Sequence, residues 1–250
     1  MGAIIPDPVL DWDLGPPRRW DPRHLLLVVV GVITVVAVAV IVLETRGPGP
    51  APVPKPVAAP AIALAAPSGH EGEGGYPVGF PRTDLGAASA AAAALEAAWT
   101  LDGAQAEQAA VLYAAPDQRQ AARDGARAAV RGWRETLGLP AEGDLPDGAA
   151  LRTQTIGIQW TARSEDQIQV SVLVQVTASK GAGGTGPLYS SPYAMSLLMA
   201  WAPDMRGAGK GDWVNVPDPT PPSVPPAALP GTPEFAAAGW KSLTAPRPTP

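Results

Sequence analysis

The sequence contains no cysteine. Disulfides, thiolate metal sites and cysteine nucleophiles are therefore excluded. Histidine is nearly absent, with only His24 and His70. One flanks an apolar run and the other falls in a Pro/Gly-rich stretch, so neither can serve a catalytic triad or a metal cluster within a folded domain. There is no positive excess either. The formal net charge is −5 at pH 7, which gives no basic footprint and predicts no direct nucleic-acid partner. No pair of carboxylates stands apart from the loop acids, so no general acid/base couple can be named. Gly181, Gly183 and Gly186 match the pattern GxGxxG. Pro187 and a strand follow them, whereas a dinucleotide site needs a helix N-terminus there, so a hairpin loop is predicted. Gly209-Lys210-Gly211 lacks the leading Gly and the Ser/Thr of a phosphate loop. No catalytic residue, cofactor or metal site is expected, and the chain is not read as an enzyme.

What the sequence does have is one long apolar run, Leu25 to Leu43, with no charge and a single hydroxyl, Thr34. About 19 residues at roughly 1.5 Å each approach the ~30 Å of a bilayer's hydrocarbon core. A cleaved signal peptide would carry a shorter run with a small-residue cleavage site close behind. Here Glu44, Thr45 and Arg46 follow, and then proline-rich sequence. The run is read as a single transmembrane helix in contact with membrane lipid. Arg18, Arg19 and Arg23 precede it, and Arg46 and Lys55 follow. This bias orients the N-terminus to the cytoplasm and the large C-terminal part outside.

The chain also holds 31 Pro and 27 Gly, and most of the Pro lies outside one central region. Residues 1–24, rich in Asp and Pro, are predicted to be a disordered cytoplasmic tail. Residues 44–75 are predicted to be a linker, extended in its proline-rich half and flexible in its glycine-rich half. Residues 217–250 read as a Pro-rich tail, with a short helix over 234–243 docking Phe235 and Trp240. Between them, residues 76–216 suffice for one ordinary domain.

Within that domain the periodicity changes once. Helices are predicted over 85–101, 104–113 and 118–137. Thr83 or Asp84 is the first N-cap, and Gly138 is the final C-cap, with Pro140 beyond. The first apolar stripe is Leu85, Ala88, Ala92, Leu95 and Trp99. The last is Ala122, Ala126, Ala129, Trp133 and Leu137. The pattern then switches to period two. Ile156, Ile158 and Trp160 alternate with Thr155, Gly157 and Gln159, and Ile168, Val170, Val172, Val174 and Val176 alternate mostly with polar residues, Leu173 being the exception. This predicts an antiparallel hairpin with one wet face. A third strand over 192–201, apolar on both faces, is expected to be central, and a short fourth covers 212–216. The fold class is therefore α+β, with about three helices on a curved antiparallel sheet of about four strands. Arg119, Arg123, Arg127 and Arg131 recur every four residues and form a drifting basic stripe. That stripe reads either as a solvated helix face or as a docking surface for an acidic partner or lipid headgroups.

Helices followed by a curved antiparallel sheet, on one N-terminal anchor, resemble the nuclear transport factor two-like fold, a cone-shaped α+β domain. Anchored versions include the inner-membrane assembly-factor subunit of type IV secretion systems. The run Gly75-Tyr-Pro-Val-Gly-Phe-Pro-Arg-Thr-Asp-Leu-Gly-Ala87, leading into an alanine-rich helix, resembles proteins of actinobacterial conjugative elements. Pro233-Glu-Phe-Ala-Ala-Ala-Gly-Trp240 resembles their ends. The resemblance implies a scaffold that contacts other membrane-complex subunits, or further copies of itself, and it brings no catalytic residues. The Pro-rich spacer and the 217–230 insert depart from the family pattern. The accessory proteins of actinobacterial lipid-uptake complexes share the general plan, and a small-molecule binder using the cone's pocket is a third reading. On the first of these, Arg119, Arg123, Arg127, Arg131, Phe235 and Trp240 are the candidate partner-docking residues.

Overall fold

A computed structural model describes residues 61–181 and 189–244. The predicted membrane span, the N-terminal tail, most of the linker and the glycine-rich hairpin loop lie outside the described residues. Among the described residues, no helix is long and apolar enough to cross a membrane.

Two short strands are the first elements of the described residues, β1 (Gly69–Glu71) and β2 (Tyr76–Val78), paired antiparallel. Helices α1 (Asp84–Ala98), α2 (Gly103–Tyr113) and α3 (Arg119–Thr136) follow. Strands β3 (Ala149–Ser164), β4 (Gln167–Lys180), β5 (Tyr189–Ala202) and β6 (Asp212–Val216) come next. A one-turn helix α4 (Pro233–Ala237) and strand β7 (Lys241–Ser242) are the last elements of the described residues. The main sheet has five antiparallel strands in the order β6-β5-β4-β3-β7. The three main helices pack against it, so the α+β class is correct.

Capping chemistry sets the helix boundaries. Thr83 Oγ1 accepts from Gly86 N–H at 3.0 Å, which makes Thr83 the N-cap of α1. The helix ends at Ala98 rather than at the expected Leu101, because Asp102 caps the next helix instead. Its Oδ1 accepts from the N–H groups of Ala104 and Gln105. Gly138, at φ 64°, turns the chain after α3, where its N–H donates to Glu135 O.

Alanine decides how α1 packs. Ala87, Ala88, Ala90, Ala91 and Ala92 are all essentially inaccessible. Short side chains bring the helix close to β3 and β4, and the helix is buried nearly all round rather than along one stripe. It meets Val170, Val172, Val174 and Val176 in the main core, with Ile158, Ile168, Met199 and Trp213. Helix α3 lies on α2 through Ala126 and Val130. It reaches the sheet through Trp133, which packs edge-on to Tyr189 and Tyr193.

Four expectations need correction. Residues 61–75, read as linker, belong to the domain: they supply β1 and a parallel bridge between Ile62 and Leu243. The sheet has five strands rather than about four, because β7 from the tail adds beside β3, while β5 is interior as expected. Ile156 does not share a face with Ile158 and Trp160. A bulge between Thr155 and Gly157 turns it to the opposite side, where it packs beside Leu173. Lastly, the hairpin has no fully wet face. Gln169 and Ser171 are buried on β4, with Gln169 Nε2 donating to Leu197 O and the Ser171 hydroxyl bonded to that of Ser196.

The C-terminal segment accounts for that last correction. Residues 217–242 form a strap against the outer face of the sheet. Phe235 and Trp240 close on Leu173, with Ala194, Ala228 and Ala238 around them. Thr232 caps the turn of α4 by accepting from Phe235 N–H, and β7 pairs with β3 at Gly157 and Ile158. The chain is thus a strand, not a helix, from Lys241. Gly157 makes the closure possible, since an added Cβ would stand 2.9 Å from the Phe235 ring.

Candidate functional site

The predicted docking residues separate into two groups in space, and neither group is intact as a surface. Phe235 and Trp240 are 0 % and 1 % exposed. Trp240 Nε1 donates to Pro226 O at 2.8 Å. Both rings are engaged inside their own chain and offer a partner nothing. The sequence marked them correctly as apolar anchors, but what they anchor is the strap.

The arginine stripe is broken as well. Arg127 grips Glu107 of α2 with two bonds, Nε to Oε1 at 2.6 Å and Nη2 to Oε2 at 2.9 Å, and lies near Asp124. The Arg127 guanidinium holds the Glu107 carboxyl below the usual carboxylate range. Arg123 leans on Gln120 at 3.5 Å. Arg119 and Arg131 are exposed and make no ion pair among the described residues. A step of four residues drifts about 40° around an α-helix. Arg119 and Arg131 therefore face about a third of a turn apart, and the stripe does not form one patch.

A fifth arginine escaped the sequence reading. Arg134 is buried, with Nε donating to Leu101 O at 2.9 Å and Nη1 to Gly143 O at 2.8 Å. It ties the loop after α3 to the connection between α1 and α2. The signal for it was present: positions 126, 130 and 134 share one face, and that face lies on α2.

The second missed group is a buried ion pair at the opposite end of the sheet. Asp212, the first residue of β6, is 0 % exposed. Its Oδ2 accepts from Gly79 N–H at 2.8 Å and Arg206 Nε at 2.9 Å. Its Oδ1 accepts from Phe80 N–H at 3.0 Å and Trp213 N–H at 2.9 Å. Arg206 reaches on to Leu112 O at the end of α2 and to Glu71 of β1. Every acceptor position is used, so the group holds the β2–α1 connection, α2 and β6 together. Nearby, Tyr113 donates to Pro77 O at 2.7 Å, and burial pushes its hydroxyl well above the usual tyrosine range. Nothing here is open to a substrate.

An open feature of the domain lies beside β3. A cavity of about 540 Å³ is lined by Tyr76, Glu96, Trp99, Gln105, Leu151 and Thr153, among others. Glu96 Oε1 accepts from Thr155 N–H at 2.7 Å. The Thr155 hydroxyl is buried and has no partner among the described residues. Trp99 also joins a ring cluster with Trp133, Tyr189 and Tyr193, whose neighbouring centroids lie 5.4–6.2 Å apart. The two tyrosine hydroxyls are hydrogen-bonded to each other. The rings pack on one another and leave no cage between them. Among the described residues, no group of three or more His, Cys, Asp or Glu is placed to hold a metal ion.

Comparison of the chain with protein-family models, with curated proteins and with solved structures finds no match.

Proposed function

We propose that this chain is a single-pass, membrane-anchored scaffold subunit of a conjugative-transfer or type IV secretion-like apparatus, working by protein–protein contact outside the membrane. The observation that carries the reading is the 19-residue apolar run, close to ~30 Å long as a helix, placed ahead of an ordered α+β domain. Helices first and an antiparallel sheet second is the order that the nuclear transport factor two-like resemblance implies. The bulged, strapped sheet fits a cone-like form of that fold. The domain's polar chemistry also supports a mechanical role. Asp212, Arg206 and Arg134 are committed to backbone groups, and Arg127 to Glu107.

An envelope lipid-transport scaffold has the same plan, and gene neighbours distinguish the two. Coupling and secretion ATPases beside this gene favour the first; lipid permeases favour the second. A small-molecule binder is the remaining reading. It draws on the cavity beside Trp99, whose ~540 Å³ falls within the range of ligand sites.

The anchor is tested first. Protease added to intact protoplasts of the host should remove the domain and the linker, leaving the tail before Leu25 and the apolar run protected. Detection of a soluble mature form that lacks residues 1–50 would replace the anchor with a signal peptide.

A further inference from the structure

Strand β3 is paired with β4 along its length, but β7 covers its other edge only at Gly157 and Ile158. The stretch from Ala149 to Thr155 is therefore a sheet edge. Antiparallel pairing alternates, so every second residue turns its backbone groups away from its neighbour. Thr155 N–H bonds to Glu96, not to β4, which sets the phase. In register with it, Leu151 and Thr153 direct their N–H and C=O groups off the edge, into the cavity of about 540 Å³. No other strand meets these groups among the described residues. Exposed edges of this kind are templates for a further strand. Glu96 plugs the end of the slot at Thr155 and fixes where a guest strand must stop.

The side chains beside the slot define the guest. A strand sends alternate side chains to opposite faces. On the helix side a guest residue meets the Trp99 and Leu151 surfaces with the Glu96 carboxylate beyond. A long aliphatic stem tipped with a cation complements that wall. On the outer side it meets Arg152, Gln154 and Gln175, which suit small polar groups.

We propose that the β3 edge from Ala149 to Thr155 is a docking slot for an extended segment of a partner protein, bearing Lys or Arg at alternate positions with Ser or Thr between. The segment adds as a sixth strand beside β3. This rests on the scaffold reading and names the surface through which it works.

The probe is a fluorescein-labelled peptide of about nine residues, alternating lysine and threonine, long enough to span the slot. Its anisotropy is measured on the full chain in detergent. Binding is expected, and a twin peptide N-methylated at the amides that face β3 should bind at least about tenfold more weakly. Thr153→Pro should weaken the unmodified peptide by a similar factor. It removes an outward N–H, and proline is tolerated on a strand edge. Glu96→Gln should weaken it as well, whereas Lys210→Ala, at an exposed position at the far end of the sheet, should not. No binding, or equal binding of the methylated twin to the unaltered chain, overturns the proposal whatever Thr153→Pro does to folding. Self-association of the chain that Thr153→Pro abolishes also overturns it, with a second copy as the occupant. Apparatus subunits recovered equally with Thr153→Pro and unaltered chains would sink the slot and leave the scaffold reading in place. Recovery of none with the unaltered chain would sink the scaffold reading itself.

Discussion

Replacing Asp212 with alanine should cost the domain about 3–5 kcal/mol, the usual penalty for breaking a buried ion pair from one side. The Asp212 and Arg206 side chains are 1 % and 8 % exposed. Removing the carboxylate leaves a buried guanidinium whose remaining charged neighbour, Glu71, stands 3.5 Å away with its side chain 46 % exposed. It also orphans the N–H groups of Gly79, Phe80 and Trp213. Each such buried donor costs about 1–3 kcal/mol when left unpaired. Small domains hold about 5–15 kcal/mol in all, so much of the fold's margin would go. Urea unfolding of a soluble fragment from Ala61 onward measures this. Asp212→Asn should recover only part of the loss, because its amide nitrogen presents donors where three backbone donors and a guanidinium already point. A loss under about 1 kcal/mol would mean that water reaches the site.

The second large effect is expected at Trp240. Its ring is 1 % exposed and shares a cluster with Phe235 and Leu173. Truncation to alanine should cost about 3–5 kcal/mol in the cavity and lost burial. The damage should be local before it is global. The strap is held at its far end by Arg163, which donates to Asp218 and Thr220 O, and at its near end by β7 and the Ile62 bridge. With the central anchor gone, limited proteolysis should cut between Pro217 and Gly239 before it cuts the sheet. A Trp240→Ala fragment that resists cleavage and keeps its urea midpoint would show that the strap is not what covers Leu173 and Ile156.

The parts of the fold set by local chemistry were legible in the sequence. Thr83 and Gly138 punctuate the helices because caps and positive-φ glycines act within a few residues. The switch from a period of 3.6 to a period of 2 marked the start of the sheet. The features that were not legible depend on what arrives from elsewhere in the chain. A single extra residue at Ile156 inverts the face of everything before it, and the alternation Ile156, Ile158, Trp160 continues unbroken through the bulge. Gln169 and Ser171 looked solvated because nothing local indicates that a strap from residues 217–242 lies over that side of the sheet. Phe235 and Trp240 were recognisable as anchors, but not as anchors to their own sheet. Asp212 and Arg206 were invisible as a pair because the carboxylate's other partners, Gly79 and Phe80, lie more than a hundred residues away. Within the stripe, Arg127 differs from Arg119 and Arg131 only through Glu107 of α2.

These findings move the candidate partner surfaces. The aromatic pair is removed, the stripe is reduced to its exposed arginines, and the β3 edge takes the leading place. The central claim is that the domain acts by contact with other subunits of a membrane complex. It is tested most directly by crosslinking cells of the native host, purifying the tagged full-length protein in detergent and identifying what accompanies it. The account predicts conjugation or secretion subunits in amounts comparable to the protein itself. A lone monomer that retains a bound small molecule in the cavity beside Trp99 would contradict it.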